Sequence, residues 1–321
     1  MKRHQQILLG VLVLQVILSV IVFWPRQVSS GTGEPLFPDV TVDDVVSLKI
    51  TDNLGEVIAL RKLEGTWVLP ESGDFPAQTS VITPVIESLI ALDATTLVAQ
   101  SEANHKQLEV AADAFQRRLD FETADGKMHT VFLGSAPRYT ATHFRVDGQA
   151  ETYLTTELST WELYTRITSW IDTSYTSIDQ ATITGAVLEN AQGTFVFVKD
   201  GENWTLADLA EDETVAPGKT NPIVRNASSL TLAEPLDTTE DPAYGMDAPK
   251  AVVTLETDDG ETHVLTIGAQ NTEDTTYAAK SSDSPYYVRV AEYLVKAMVE
   301  SKREDFLNLP TTPTPEPTPA P

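Results

Sequence analysis

Two passages decide the plan of the chain: RRLDFETADGKMHTVFLG over Arg117–Gly134 and AVVTLETDDGETHVLTIG over Ala251–Gly268. At a constant offset of 134 they share Glu122/Glu256, Thr123/Thr257, Asp125/Asp259, Gly126/Gly260, His129/His263 and Gly134/Gly268. Each is an alternating apolar run, an Asp-Gly step and a second alternating run, the pattern of a β-hairpin. A duplicated hairpin points to a duplicated module.

Upstream of each hairpin the repeat continues. Val45–Thr51 alternates, Asp52 to Gly55 turns, and Glu56–Leu63 runs back towards Trp67. Ile183–Glu189, the turn from Asn190 to Gly193, and Thr194–Asp200 running to Trp204 repeat the pattern. Both tryptophans read as core plugs at a strand end. A helix follows in each copy. In Thr79–Val98 the residues Val81, Val85, Leu89 and Leu92 form one stripe; Gly218–Leu232 is its counterpart. Pro84 and Pro222 match across the copies and suit a first helical turn, where the missing N–H is not needed.

Downstream, each hairpin is followed by a strand pair, His143–Thr155 and Tyr277–Val290, and then by a short closing helix. Trp161 and Tyr164 align there with Val295 and Met298. One repeat is thus β-β-α-β-β-β-β-α, and because hairpins dominate, the expected class is α+β with mainly antiparallel sheets. The expected layout is an anchor at 1–26, a linker at 27–39, repeat one at 40–178, repeat two at 179–309, and a Pro/Thr-rich tail at 310–321. That tail, Pro310–Pro321, is extended spacer by composition.

Ile7–Trp24 is apolar except for Gly10, Gln15 and Ser19, and follows Lys2-Arg3-His4. Eighteen helical residues reach about 27 Å, enough to cross the hydrocarbon core as an N-terminal transmembrane helix. Two basic residues before the span and Arg26 after it favour a cytoplasmic N-terminus, with the rest of the chain extracytoplasmic. A cleaved signal peptide is the competing reading. Its apolar region is usually shorter, and no A-x-A site is present.

The net charge is -25, and beyond residue 26 the chain holds 19 bases against 47 acids, which argues against nucleic acid as a partner. There are no cysteines, so disulfides, thiolate nucleophiles and Cys-ligated metals are excluded.

Candidate chemistry is sparse. If Asp125-Gly126 is a two-residue turn, Glu122 faces His129, and Glu256 faces His263 in the other copy. Carboxylate and imidazole both bind zinc, yet neither pair has a third ligand in view, and cross-strand ion pairs are a common way to support a sheet. Gly218-Lys219-Thr220 resembles the end of a phosphate-binding loop, but Glu213 stands where the first glycine belongs. No G-x-S-x-G or H-E-x-x-H occurs. The acidic runs at Glu211–Glu213 and Asp237–Asp241 lack calcium-loop spacing. Asn203-Trp204-Thr205 and Asn226-Ala227-Ser228 fit the glycosylation sequon. No catalytic, cofactor or metal residue is therefore assigned, and the chain is not expected to be an enzyme.

The anchor, the strand–turn–strand ending in tryptophan, Tyr244-Gly245-Met246-Asp247-Ala248-Pro249, Ile267-Gly268 and Tyr286–Val290 together resemble one bacterial family, domain-of-unknown-function family 4340. The resemblance covers residues 40–309. Repeat one has Leu108-Glu109-Val110-Ala111 where the Tyr-Gly-Met-Asp motif stands in repeat two. The resemblance implies a membrane-anchored protein associated with ABC-type export systems of the gliding-motility kind, and it supplies no catalytic residues. The expected function is a single-pass, extracytoplasmic binding or scaffold protein, with an ABC transporter or another envelope protein as partner. The alternatives are an envelope hydrolase using carboxylates between the repeats, or a metal- or solute-binding module.

Overall fold

The computed structural model describes residues 33–308 together with Gln15. Period-two alternation becomes strands whose apolar side is buried. In β1 (Val45–Asp52), Val45, Leu48 and Ile50 are buried and Lys49 is exposed. The first copy continues with β2 (Val57–Leu63), β3 (Thr66–Leu69), β4 (Phe75–Pro76), helix α1 (Thr79–Ile90) and β5 (Leu97–Ala99). The two-residue strands β6 (Val110–Ala111) and β7 (Ala114–Phe115) precede the quoted hairpin, β8 (Arg117–Thr123) and β9 (Met128–Leu133). The copy ends with β10 (Thr142–Val146) and β11 (Thr152–Thr155).

The second copy comprises β12 (Ile183–Asn190), β13 (Gly193–Asp200), β14 (Asn203–Leu206), α2 (Pro217–Ser228) and β15 (Glu234–Pro235). These are followed by β16 (Ala251–Thr257), β17 (Thr262–Gln270), β18 (Tyr277–Ser281), β19 (Tyr287–Val290), α3 (Glu292–Glu300) and α4 (Arg303–Phe306). One sheet has the order β4-β3-β2-β1-β8-β9-β10-β11-β5 and the other β14-β13-β12-β16-β17-β18-β19-β15. Matched by sequence position, the orders are the same apart from β4. The pairings within them are antiparallel, as an α+β chain built from hairpins requires.

The described residues divide into two compact units. One runs to Val57 and resumes over Thr83–Leu163; the other holds Ile58–Ile82 and continues from Tyr164. In the first, Leu48, Ile50, Leu119, Phe121, Val131 and Leu133 are buried. In the second, Phe195 and Phe197 lie edge-on to Phe306, at 5.2 and 5.3 Å between ring centres. Trp67 and Trp204 are both buried, as their strand-end positions suggested.

Three expectations are corrected. Helix α1 stops at Ile90, and its buried stripe is Ile82, Val85, Ile86 and Leu89; the run Thr95-Thr96-Leu97-Val98, three of its four residues β-branched, goes on to β5 instead. Pro84 and Pro222 each lie inside a helix, past the first turn. Repeat one closes on a 3-10 turn, Thr160–Glu162, leaving Trp161 53% and Tyr164 50% exposed, whereas Val295 and Met298 are buried in α3. The segment after it, Thr165 to Thr168, is rich in β-branched residues that form helix poorly, so the buried positions become Leu163 and Trp170 without a helical period.

Among the described residues no helix is long and apolar enough to cross a membrane. The expected span Ile7–Trp24 lies outside them except for Gln15, as does the tail from Pro310.

Candidate functional site

At the tip of the quoted hairpin, Thr123 N–H donates to Lys127 O (3.0 Å) and Gly126 N–H to Thr123 O (2.8 Å). Three residues therefore form the loop, with Gly126 left-handed at φ +82°. The second copy does the same, with Gly260 at φ +86°. The extra loop residue moves the register by one. His129 faces Phe121 and Glu122 faces Met128; His263 faces Leu255 and Glu256 faces Thr262. Adjacent strand residues point to opposite faces, so the expected Glu122–His129 and Glu256–His263 pairs do not form, and neither is placed to hold one metal ion between its members.

The duplicated polar groups brace the turn itself. Thr123 Oγ1 donates to Asp125 Oδ1, and Thr257 Oγ1 to Asp259 Oδ1, each at 2.6 Å. The Lys127 ammonium, 2.7 Å away, and then the Thr123 hydroxyl pull the Asp125 carboxyl down to about 2. A carboxyl held below its unfolded value of 3.8 contributes stability above that value and loses it as pH falls towards 2. Acid titrations of Asp125→Asn should therefore lack one increment of unfolding between pH ~4 and ~2 that the wild type shows.

The two histidines have different settings. His129 stacks on Phe121 at 4.8 Å between ring centres and meets Phe37 edge-on at 5.4 Å, with its Nε2 buried and without a hydrogen-bond partner among the described residues. His263 Nδ1 lies 2.8 Å from Asp283 Oδ2. A buried polar atom without a partner destabilises, and a phenyl ring of similar shape removes it. His129→Phe should thus leave stability unchanged or raise it by about 1 kcal/mol, while His263→Phe lowers it slightly. Denaturant midpoints of the two variants moving in the same direction would contradict this.

Each hairpin tip also walls a cavity against the segment that enters its repeat. One, of about 370 Å³, is lined by Leu36, Phe37, Val40, Asp125, Lys127 and His129. The other, of about 450 Å³, is lined by Tyr175, Ile178, Asp179, Asp259, His263 and Asp283. The walls are positioned alike, since Ala124 N–H donates to Asp44 O and Asp258 N–H to Thr182 O, both at 2.8 Å. These volumes suit a small ligand. Each collects three aspartates, Asp39, Asp44 and Asp125 in the first and Asp179, Asp259 and Asp283 in the second; the first adds Lys127 and a more apolar wall. Tyr175 is anchored by donating to Tyr286 O (2.7 Å) and accepting from Ser281 N–H (2.8 Å), and burial pushes its hydroxyl up to about 12.

The other sequence candidates serve local structure. Thr220, of the loop-like Gly218-Lys219-Thr220, is fully buried, and its hydroxyl donates to Trp204 O at 2.6 Å, so it faces the core rather than a phosphate. Asn226 of the second sequon donates to Leu294 O at 2.9 Å, whereas Asn203 of the first is exposed. Glu213 pairs with Arg303 at 2.6 Å, and Asp237 accepts from Thr238 and Thr239 N–H. One contact had no sequence signal: Ser135 Oγ lies 3.1 Å from Nδ1 of the buried His143, whose ring is held towards neutrality by burial. Ser135 also donates to Leu108 O at 3.2 Å, which ties the pair to a crossing loop.

That crossing loop explains the repeated glycines. A β-carbon at Gly134 would fall 2.1 Å from Leu108 O, and one at Gly268 would fall 2.0 Å from Tyr244 O. The segment Tyr244-Gly245-Met246 thus lies directly on Ile267-Gly268, and two separate stretches of the sequence form one contact. Residues 67–249, more than half of the chain, match the family model described as a domain of unknown function, DUF4340. The chain belongs to the DUF4340 family. Comparison with curated proteins and with solved structures finds no match. Within this DUF4340 chain, Gly245 is left-handed at φ +66°, and Glu109 holds the matching position of repeat one at φ +58°. The motif letters differ while the backbone is retained. Glutamate is strained there, so Glu109→Gly should raise stability by about 1 kcal/mol in denaturant titrations, despite losing the bond from Gln116.

Proposed function

We propose that this DUF4340 chain is a non-catalytic binding or scaffold protein, held at a cell membrane by Ile7–Trp24 with its two repeats on the extracytoplasmic side. One observation carries the reading: four of the six residues shared by the hairpins, the threonine, the aspartate and both glycines, shape or brace the backbone. Thr123 and Thr257 brace the turn carboxylates, Gly126 and Gly260 make the turn, and Gly134 and Gly268 admit a crossing carbonyl. Both cavities keep a threonine, an aspartate and a histidine from the shared set, and around these Lys127 stands in one and Asp283 in the other. A duplicated frame with diverged surfaces suits recognition. The apolar N-terminal stretch and the family resemblance support membrane attachment and a role as an accessory of an ABC-type transport system.

A second reading, a solute-binding module, is favoured by the two equivalently placed cavities. Carbonate-washed membranes and detergent co-purification test the first. The chain should remain in the membrane pellet and bring down a transport permease. Release of a shortened chain into the soluble fraction, or purification without any envelope protein, would refute it.

A further inference from the structure

The outer face of the second sheet differs from that of the first. Phe195 and Phe197 turn inward to Phe306, so Val196 and Val198 on the same strand point away from the core. Val196 pairs with Val187, Val187 with Thr254, and Thr254 with Val264. Directly paired residues share a face, so these four form a row across four strands, about 14 Å long at the usual strand spacing. Val198 flanks the row on one side and Val252 on the other. Val196 and Val198 are 43% and 39% exposed, and Val187, Val252 and Val264 are partly exposed.

The solvated face of an antiparallel sheet is ordinarily polar. The first sheet follows that rule: Lys49 stands where Val187 does, Arg118 where Val252 does and Asp120 where Thr254 does. There Arg118 pairs with Asp120 at 2.9 Å, and Thr130 donates to Asp120 at 2.6 Å. In the second sheet the equivalent network is replaced by valines. Contiguous exposed apolar surface of this kind marks a contact site. Glu189, Asp200 and Glu256, all exposed, make most of the charged border acidic, with Lys280, paired to Thr266, at the far end of the row.

We propose that this valine face docks a protein partner presenting an apolar centre bordered by lysine or arginine. The inference rests on the binding-protein reading above and adds the place and the chemistry of contact. An uncharged centre excludes water, and the acidic border selects a basic rim.

The test uses the full chain in its own membranes. A photo-crosslinking p-benzoylphenylalanine is placed at position 187, or at the equivalent position 49 as control, and the joined peptide is sequenced by mass spectrometry. Position 187 should yield at least about tenfold more adduct than position 49, to one other protein, at an apolar segment flanked by Lys or Arg. Yield should fall several-fold when sodium chloride rises from about 0.05 to 0.5 M, and also in Val196→Asp. Val196→Thr preserves the branched strand residue and should lower the yield less, which separates loss of the surface from misfolding. Equal adduct from both positions, no adduct, an adduct to a second copy of the chain, or a partner segment with an acidic rim would overturn the proposal. A partner that co-purifies equally with wild type and Val196→Asp defeats the face but leaves the binding-protein reading standing. If wild type co-purifies no partner, both fail.

Discussion

Gly268→Ala is expected to lower the unfolding free energy by at least about 3 kcal/mol, or to prevent folding. The new methyl would stand 2.0 Å from the Tyr244 carbonyl oxygen, with Met246 Cε and Sδ at 3.1 and 3.2 Å. The methionine can swing aside, but the carbonyl belongs to a backbone that turns through left-handed Gly245, itself close-packed against Ala269. Relief therefore requires the whole crossing segment to lift from β17. Gly134→Ala meets the same obstruction, at 2.1 Å from Leu108 O. Gly126→Ala is the informative contrast. Nothing lies within 4 Å of its added methyl, and only the positive φ opposes it, at about 1 kcal/mol. Denaturant unfolding of the three variants should rank them accordingly; a Gly268→Ala variant no weaker than Gly126→Ala would remove the close-contact argument.

Trp170→Ala should cost about 3–5 kcal/mol, comparable with the largest core truncations. The Trp170 indole is fully buried, its Nε1–H donates to Tyr164 O at 2.9 Å, and its own carbonyl accepts from Gln78 N–H at 2.7 Å. Alanine leaves a void and strips the Tyr164 carbonyl of its donor, while the Gln78 bond survives because it is made by backbone. Trp170→Phe should recover more than half of the loss, since it restores most of the volume but not the donor. A loss below about 1 kcal/mol for the alanine variant would mean that the pocket collapses around the missing ring.

The repeat was legible because alternation and turn residues are local. Val45, Leu48 and Ile50 announce a strand by spacing alone, and the Asp-Gly steps announce hairpins. The register was not legible. Whether Asp125-Gly126 closes a two- or a three-residue loop depends on Asp125, which does not take the positive φ a two-residue type I′ turn requires, and that one residue decides which side chain His129 faces. The match between Leu108–Ala111 and Tyr244–Asp247 was hidden for a related reason: it lies in backbone conformation, and Glu109 occupies a position whose natural occupant is glycine. Trp170 and the His263–Asp283 contact depend on partners distant in sequence or on an irregular turn, so no periodicity marks them. The valine face was written in the alternation of β13 but acquires meaning only beside the strands that extend it.

The strand order common to the two copies has a consequence for how the chain is made. In each copy the first strand synthesised, β1 or β12, ends up beside the hairpin, pairing Leu48 with Phe121 and Ala186 with Leu255. Those partners emerge roughly seventy residues later, a long loop to close and a slow kind of pairing. Until then the strand exposes an unpaired edge and an apolar face. The chain passes through this exposed state twice, once per copy, and a pause after Leu133 or Gln270 would let the central strand find its place before the next segment arrives.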